Sequence, residues 1–82
     1  MKIAFKLYEQ VQLTKSLLGY SFQKGDVATI VEIAKDKAGN NGYGLEFFDN
    51  NGETLQVLVV AEDCIAHPPL HAVVNYRPYR EA

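Results

Sequence analysis

The chain has 82 residues, 48% hydrophobic and 22% charged, a balance that suits one globular domain and argues against disorder. Eight basic residues against ten acidic ones leave a formal charge of −2, which offers phosphate backbones no general attraction and speaks against nucleic acid as a partner. The one cysteine, Cys64, cannot form an internal disulfide, and no apolar run approaches the roughly 20 residues of a membrane span, so a cytoplasmic protein with no membrane contact is expected.

Met1 to Lys6 holds a single apolar triplet between lysines, too short for a signal-peptide core. Residues Phe5 to Leu13 alternate in part, with Val11 and Leu13 on one face and Gln10 and Gln12 on the other, which predicts a first strand with one wet side. Thr14 to Lys24 carries Leu17, Leu18, Tyr20 and Phe22 around Gly19. It is too Gly-interrupted for a helix and too apolar to hang in water, and so reads as a long loop folded onto the domain. Lys24-Gly25-Asp26 then forms a turn that opens into a second strand at Val27 to Ile33. Gly25 supplies a conformation that L-residues avoid, Asp26 can bond back to its own turn, and the β-branched residues that follow fit a pleated surface. That strand is nearly continuous in apolar residues, which predicts burial on both faces or a bulge that shifts the inward set.

Lys35 to Gly42 is a polar turn into a third strand, Tyr43 to Phe48. Asp49-Asn50-Asn51-Gly52 contains an Asn-Gly pair, a strong hairpin signal, and Glu53 to Val60 supplies the returning strand. A tight turn at Ala61-Glu62-Asp63 leads to a short closing strand over Cys64 to His67, which Pro68-Pro69 must end. Beyond it, Val73 and Val74 could extend the sheet, while Tyr76-Arg77-Pro78-Tyr79-Arg80 reads as an arm, Pro78 forbidding a central strand. The expected division is a barrel over 1–69 and a C-terminal arm over 70–82. Val27, Ile30, Ile33, Leu45, Phe47, Leu55, Val57 and Ile65 are expected to supply most of the core, with Phe5 and Tyr43 also pointing inward.

A long loop after the first strand, Lys-Gly-Asp, a three-strand meander, one tight turn and a short last strand make the layout of an all-β, five-stranded SH3-like barrel with an extended arm. Phe5-Lys6-Leu7-Tyr8, Val11-Gln12-Leu13-Thr14, Lys24-Gly25-Asp26-Val27, Thr29-Ile30-Val31-Glu32 and Phe48 to Leu55, in this order and spacing, resemble a family of short bacterial proteins known as domain of unknown function 4926. The resemblance implies an SH3-like barrel without known catalytic activity. It also implies a small partner of a neighbouring-gene protein, in a toxin–antitoxin or immunity-like pair. Ala28 stands where that family usually has glycine, a small change. Ser16-Leu17-Leu18 replaces a more polar, proline-bearing stretch, so the loop surface is particular to this chain.

Candidate chemistry is sparse. Cys64, His67 and His71 with Asp63 are the only cluster of nucleophilic or metal-ligating residue types. Cys-x-x-His is one ligand pair where a structural zinc needs four, and residues three apart on a strand face opposite ways, so no metal site and no Cys-His catalytic pair is expected. Asp49 to Glu53 places its glycine fourth where a calcium-binding EF-hand loop needs it sixth, and Gly39, Gly42 and Gly44 lack the helix and Lys-Ser/Thr ending of a phosphate cradle. The expectation is therefore no enzyme and no cofactor. Tyr8, Tyr20, Phe22 and Phe48 are candidates to line a peptide-docking groove beside the long loop. Tyr76, Arg77, Tyr79 and Arg80 combine interface-prone residue types on an extended arm. The leading functional expectation is a protein-binding module, with self-association through the arm. The alternative is a structural accessory subunit of a larger complex, as SH3-like barrels are in photosynthetic electron-transfer assemblies.

Overall fold

The computed structural model describes residues 5–80; the expectations placed on Met1 to Ala4 and on the last two residues of the arm lie outside them. Five strands run β1 Gln10–Leu13, β2 Val27–Lys35, β3 Asn41–Phe48, β4 Thr54–Ala61 and β5 Ile65–Ala66, with one 3-10 turn over Glu62–Cys64. They form one antiparallel sheet in the order β4-β3-β2-β1-β5. The protein is all-β, and no helix among the described residues is long and apolar enough to cross a membrane.

Strand one is shorter than its alternation predicts. A turn occupies the stretch before Gln10, closed by the Glu9 N–H donating to the Lys6 carbonyl at 3.2 Å, with Tyr8 at φ +67°. The chain still pairs with β2 there, because the Tyr8 N–H reaches the Ile30 carbonyl and the Ile30 N–H reaches the Glu9 carbonyl. From Gln10 the expected alternation holds, and Val11 and Leu13 are fully buried.

Both hairpins of the meander turn by one device. Asp36 Oδ1 accepts the N–H groups of Ala38 and Asn40, and Asp49 Oδ1 accepts those of Asn51 and Glu53, all at 2.9 Å. The fourth residue of each, Gly39 or Gly52, sits at positive φ, where a Cβ would be strained. The Lys24-Gly25-Asp26 turn behaves as its residues predict: Gly25 is at φ +94°, and Asp26 Oδ2 takes the Gln23 N–H at 2.8 Å.

The core gathers Phe5, Val11, Leu13, Phe22, Ala28, Ile30, Tyr43, Leu45, Phe47, Leu58, Val60 and Ile65. Four expected members lie outside it: Val27, Ile33 and Val57 are exposed, and Leu55 is only half-buried against it. The cause is parity. A strand alternates, so inward Ile30 demands inward Ala28 and sends Val27 out. The bulge then falls at Val31, between the Ile30–Leu45 and Glu32–Gly44 pairs, and β2 beyond it runs past the core with Ile33 in solvent. In β4 a second irregularity at Leu55, between the Phe47–Gln56 and Phe48–Thr54 pairs, switches the inward set from odd to even. Leu55 packs half-buried on the core, Leu58 and Val60 go in, and Val57 and Val59 come out.

Candidate protein-binding surface

The long loop between β1 and β2 is tied at its base and open at its tip. Its base is held where the Leu13 N–H donates to the Asp26 carbonyl and the Gly25 N–H to the Leu13 carbonyl, and where the Thr14 N–H and hydroxyl bond the carbonyls of Cys64 and Asp63 at 2.8 Å each. Nearer the tip, the Leu17 N–H reaches the Phe22 carbonyl and the Tyr20 N–H the Leu17 carbonyl, with Gly19 at φ +83° turning the chain. This fixes what each side chain does. Leu17 packs half-buried on the core and Phe22 goes fully into it, while Leu18 is left 96% exposed and Tyr20 half-exposed.

Against the loop lies the end of β4. Leu17, Leu18, Tyr20, Leu58, Val59, Val60 and Cys64 line an open cleft of about 260 Å³. Its rim is apolar, since Val59 is 70% exposed and its outer-face neighbour Val57 is also in solvent. Beside them the sheet has almost no relief: a Cβ on Gly42 would meet Val59 Cγ1 at 3.5 Å, and Gly44 leaves room for Glu32, whose Cβ such an atom would meet at 3.0 Å. Tyr20 is an expected binding residue, Leu18 is expected only as part of the particular loop surface, and Val59 is not expected here. Leu18 could have been found as a leucine beside a turn glycine. Val59 could not, because its face depends on the irregularity at Leu55.

The expected aromatic groove is not assembled. Phe22, a candidate lining residue, is 3% exposed, stacked on Phe47 with ring centroids 3.9 Å apart and covered on its other side by Tyr79 at 5.3 Å. Tyr8 and Phe48 are exposed, and no ring contact among the described residues joins them to Tyr20 or to each other.

In the arm, Val73 and Val74 do not extend the sheet; they are 81% and 77% exposed and belong to no strand. The arm is held instead at two points beyond them. Arg77 Nε donates to Asp26 Oδ1 at 3.0 Å, while its Nη2 donates to Asp26 Oδ2 and, at 2.8 Å, to the Ser21 carbonyl. This fork on a carboxylate raises the arginine's affinity for its proton. Next to it, Tyr79 lies on Phe22. Tyr76 and Arg80 remain exposed.

Cys64, Asp63, His67 and His71 do not converge. Cys64 is half-buried against the core, with its Sγ 3.7 Å from Asp63 Oδ1. His67 turns instead to Glu9, Nε2 to Oε2 2.9 Å, and its ring lies 4.7 Å from Phe5. The Lys6 N–H, and then His67, hold the Glu9 carboxyl below its ordinary range. No three metal-ligating side chains come together among the described residues.

No curated protein and no solved structure matches this chain. A family model does, over residues 7–67, from the turn before β1 to the first residue after β5. It takes in the long loop, the meander and the cleft but stops before the arm, and on that match the chain belongs to the family described as Domain of unknown function (DUF4926).

Proposed function

We propose that this chain is a non-catalytic, SH3-like, cytoplasmic protein-binding module, which docks an extended segment of another protein in the cleft between the long loop and β4. The observation that carries this reading is the apolar rim of Leu18, Tyr20 and Val59, which line one cleft and are exposed together beside β4. Isolated surface hydrophobes need no explanation, but a contiguous group on a domain this small is a docking surface. An open strand edge adds main-chain donors and acceptors for an extended ligand, with the apolar rim for its side chains. The sheet order, with β1 between β2 and a short β5, supports the SH3-like reading. The resemblance to the family supports the finer one, in which the partner is encoded by a neighbouring gene and this chain is its antitoxin- or immunity-like companion.

Co-expression with the neighbouring gene's product tests this. The pair should purify together at fixed stoichiometry, and a Leu18→Asp, Val59→Lys double variant should lose the partner while keeping the wild-type melting temperature, because both side chains are mostly in solvent. Purification of the chain alone, with no stoichiometric companion, would overturn the reading.

A further inference from the structure

The turn at Lys24-Gly25-Asp26 uses one of the two Asp26 oxygens. Oδ2 takes the Gln23 N–H at 2.8 Å, whereas Oδ1 takes its bond from Arg77 Nε at 3.0 Å. Beside that carboxylate the Ser21 carbonyl accepts from Arg77 Nη2, and the Phe22 ring, backed by Phe47, turns its other face to Tyr79. A carboxylate, a carbonyl and a ring face, all from the stretch 21–26, thus make one receiving surface.

What fills that surface is short. Residues two apart on an extended chain share a face, and Pro78 favours an extended Arg77. Arg77 and Tyr79 accordingly meet the body, while Tyr76, Pro78 and Arg80 are left to solvent. No main-chain hydrogen bond joins residues 70–80 to the body among the described residues, so two side chains carry the recognition. Any extended segment with an arginine and, two residues on, an aromatic ring meets the same three groups. Ser21, Phe22 and Asp26 lie within the family match over residues 7–67, and the arm lies beyond it. The site belongs to the matched domain and its occupant is appended.

We infer that Ser21, Phe22 and Asp26 form a recognition site for an extended peptide segment bearing arginine and, two residues on, an aromatic ring; the arm closes it in cis, and a segment of the same chemistry from another protein opens it. None of the three lines the cleft between the long loop and β4, so this is a second site. Mass action favours another protein over a second copy. Ten residues, His67 to Tyr76, tether Arg77 to β5, a span that gives the arm an effective concentration on the order of 1 mM at its own site. An identical arm from a second copy makes the same contacts from bulk solution and loses; a foreign segment that adds contacts of its own wins. The closure can yield, because the Arg77 and Asp26 side chains keep 33% and 20% of their surface in water.

The probe is a capped synthetic peptide of Asn75 to Arg80, titrated calorimetrically into the full-length chain. Arg77→Ala with Tyr79→Ala frees the arm, and this variant should bind the peptide with a Kd of about 100 µM or tighter, the affinity at which the tethered arm keeps its site closed. The wild type should bind at least about tenfold more weakly, because only its open fraction is competent. Arg77→Ala alone, which leaves Tyr79 on Phe22, should fall between the two and carries the test if the double variant folds poorly. Adding Asp26→Asn, which keeps an oxygen for the Gln23 N–H, or making the peptide's Arg77 a lysine should weaken binding at least about tenfold, since the fork on the carboxylate is lost. Leu18→Asp with Val59→Lys, added to the freed variant, should leave peptide binding unchanged, which separates this site from the cleft. No binding to the freed variant, equal binding to freed and wild-type chains, or binding indifferent to Asp26→Asn would overturn the site. A wild type that self-associates at about 100 µM and loses that association with Arg77→Ala would overturn closure in cis and give the arm to a second copy.

Discussion

From Phe5 to Ile65 twelve apolar side chains are buried in one continuous cluster, whereas from Leu70 to Pro78 every residue is exposed. Both stretches contain valine, tyrosine and leucine, so residue type alone does not separate them. Topology does. The sheet sets each inward residue among the inward residues of paired strands, while among the described residues the arm is held by a guanidinium fork and a stacked ring. The body is therefore held by removal of apolar area from water, which is large and does not depend on salt. The arm is held by a partly exposed ion pair and one aromatic contact, which are small and partly screened.

The contrast is broken most severely from the body. Phe47 is almost fully buried beneath the stacked Phe22, near the end of β3. Phe47→Ala should cost about 3–5 kcal/mol, a large share of the stability open to a small domain, whereas Val73→Ala in the arm should change it by less than about 0.5 kcal/mol. Thermal melts of the two variants at low protein concentration check this, and a Phe47→Ala protein melting within a degree or two of wild type would contradict the assigned packing. The hairpin turns come next. Asp49→Ala removes the acceptor of two backbone N–H groups and should cost about 1–2 kcal/mol; Asp49→Asn, which keeps the oxygen, should recover most of it in the same melts.

Much of this body was legible in the residues. Gly-Asp and Asx-x-x-Gly turns, alternation through Tyr43, Leu45 and Phe47, and prolines after the closing strand are local signals, and each marks an element in place. What was not legible is the phase of β2 and β4. A bulge at Val31 or Leu55 costs no distinctive residue, yet it decides whether Val57 or Leu58 faces the core, and with it whether Val59 stands on the cleft rim. The fate of Phe22 was hidden for a related reason. A loop aromatic reads equally well as a groove wall or as a plug, and only the meeting of Phe47 below with Tyr79 above makes it the plug. The Arg77–Asp26 fork spans 51 positions, and no local pattern joins the two residues.

The fork gives a sharper form of the comparison. Arg77→Ala should lower the melting temperature only slightly, about 1 kcal/mol or less, because both side chains retain contact with water. Its larger effect should be on the arm itself, where loss of the fork frees the chain on both sides of Pro78 and uncovers Phe22. Limited proteolysis over residues 70–80 should therefore accelerate while the β3 amides keep their protection from hydrogen exchange. Arg77→Lys should restore little of this, because an ammonium cannot span both Asp26 oxygens and the Ser21 carbonyl as the planar guanidinium does. Accelerated exchange in β3 together with an unchanged arm would reverse the assignment.

Acid should act on the body and hardly at all on residues 70–80, which contain no carboxylate. Glu9 is held below its ordinary range first by the Lys6 N–H and then by His67, and Asp36 first by the Asn40 N–H and then by the Asn40 side chain and neighbouring turn amides. Folded-state values that lie below the unfolded ones mean that each group stabilises the fold above the ordinary carboxylate range. That contribution is lost as the pH falls through the folded value. The loss should begin below about pH 4.5. Both groups are open to solvent, so the effect is the smallest of those expected and weakens further in salt. Glu9→Gln with Asp36→Asn keeps the acceptor oxygens but removes the titration, and should flatten the slope of melting temperature against pH between about 4.5 and 3 relative to wild type. An equally steep slope in the double variant would move the acid sensitivity of the body to other carboxylates, whereas a flattened one would place it at the turn before β1 and the β2–β3 hairpin.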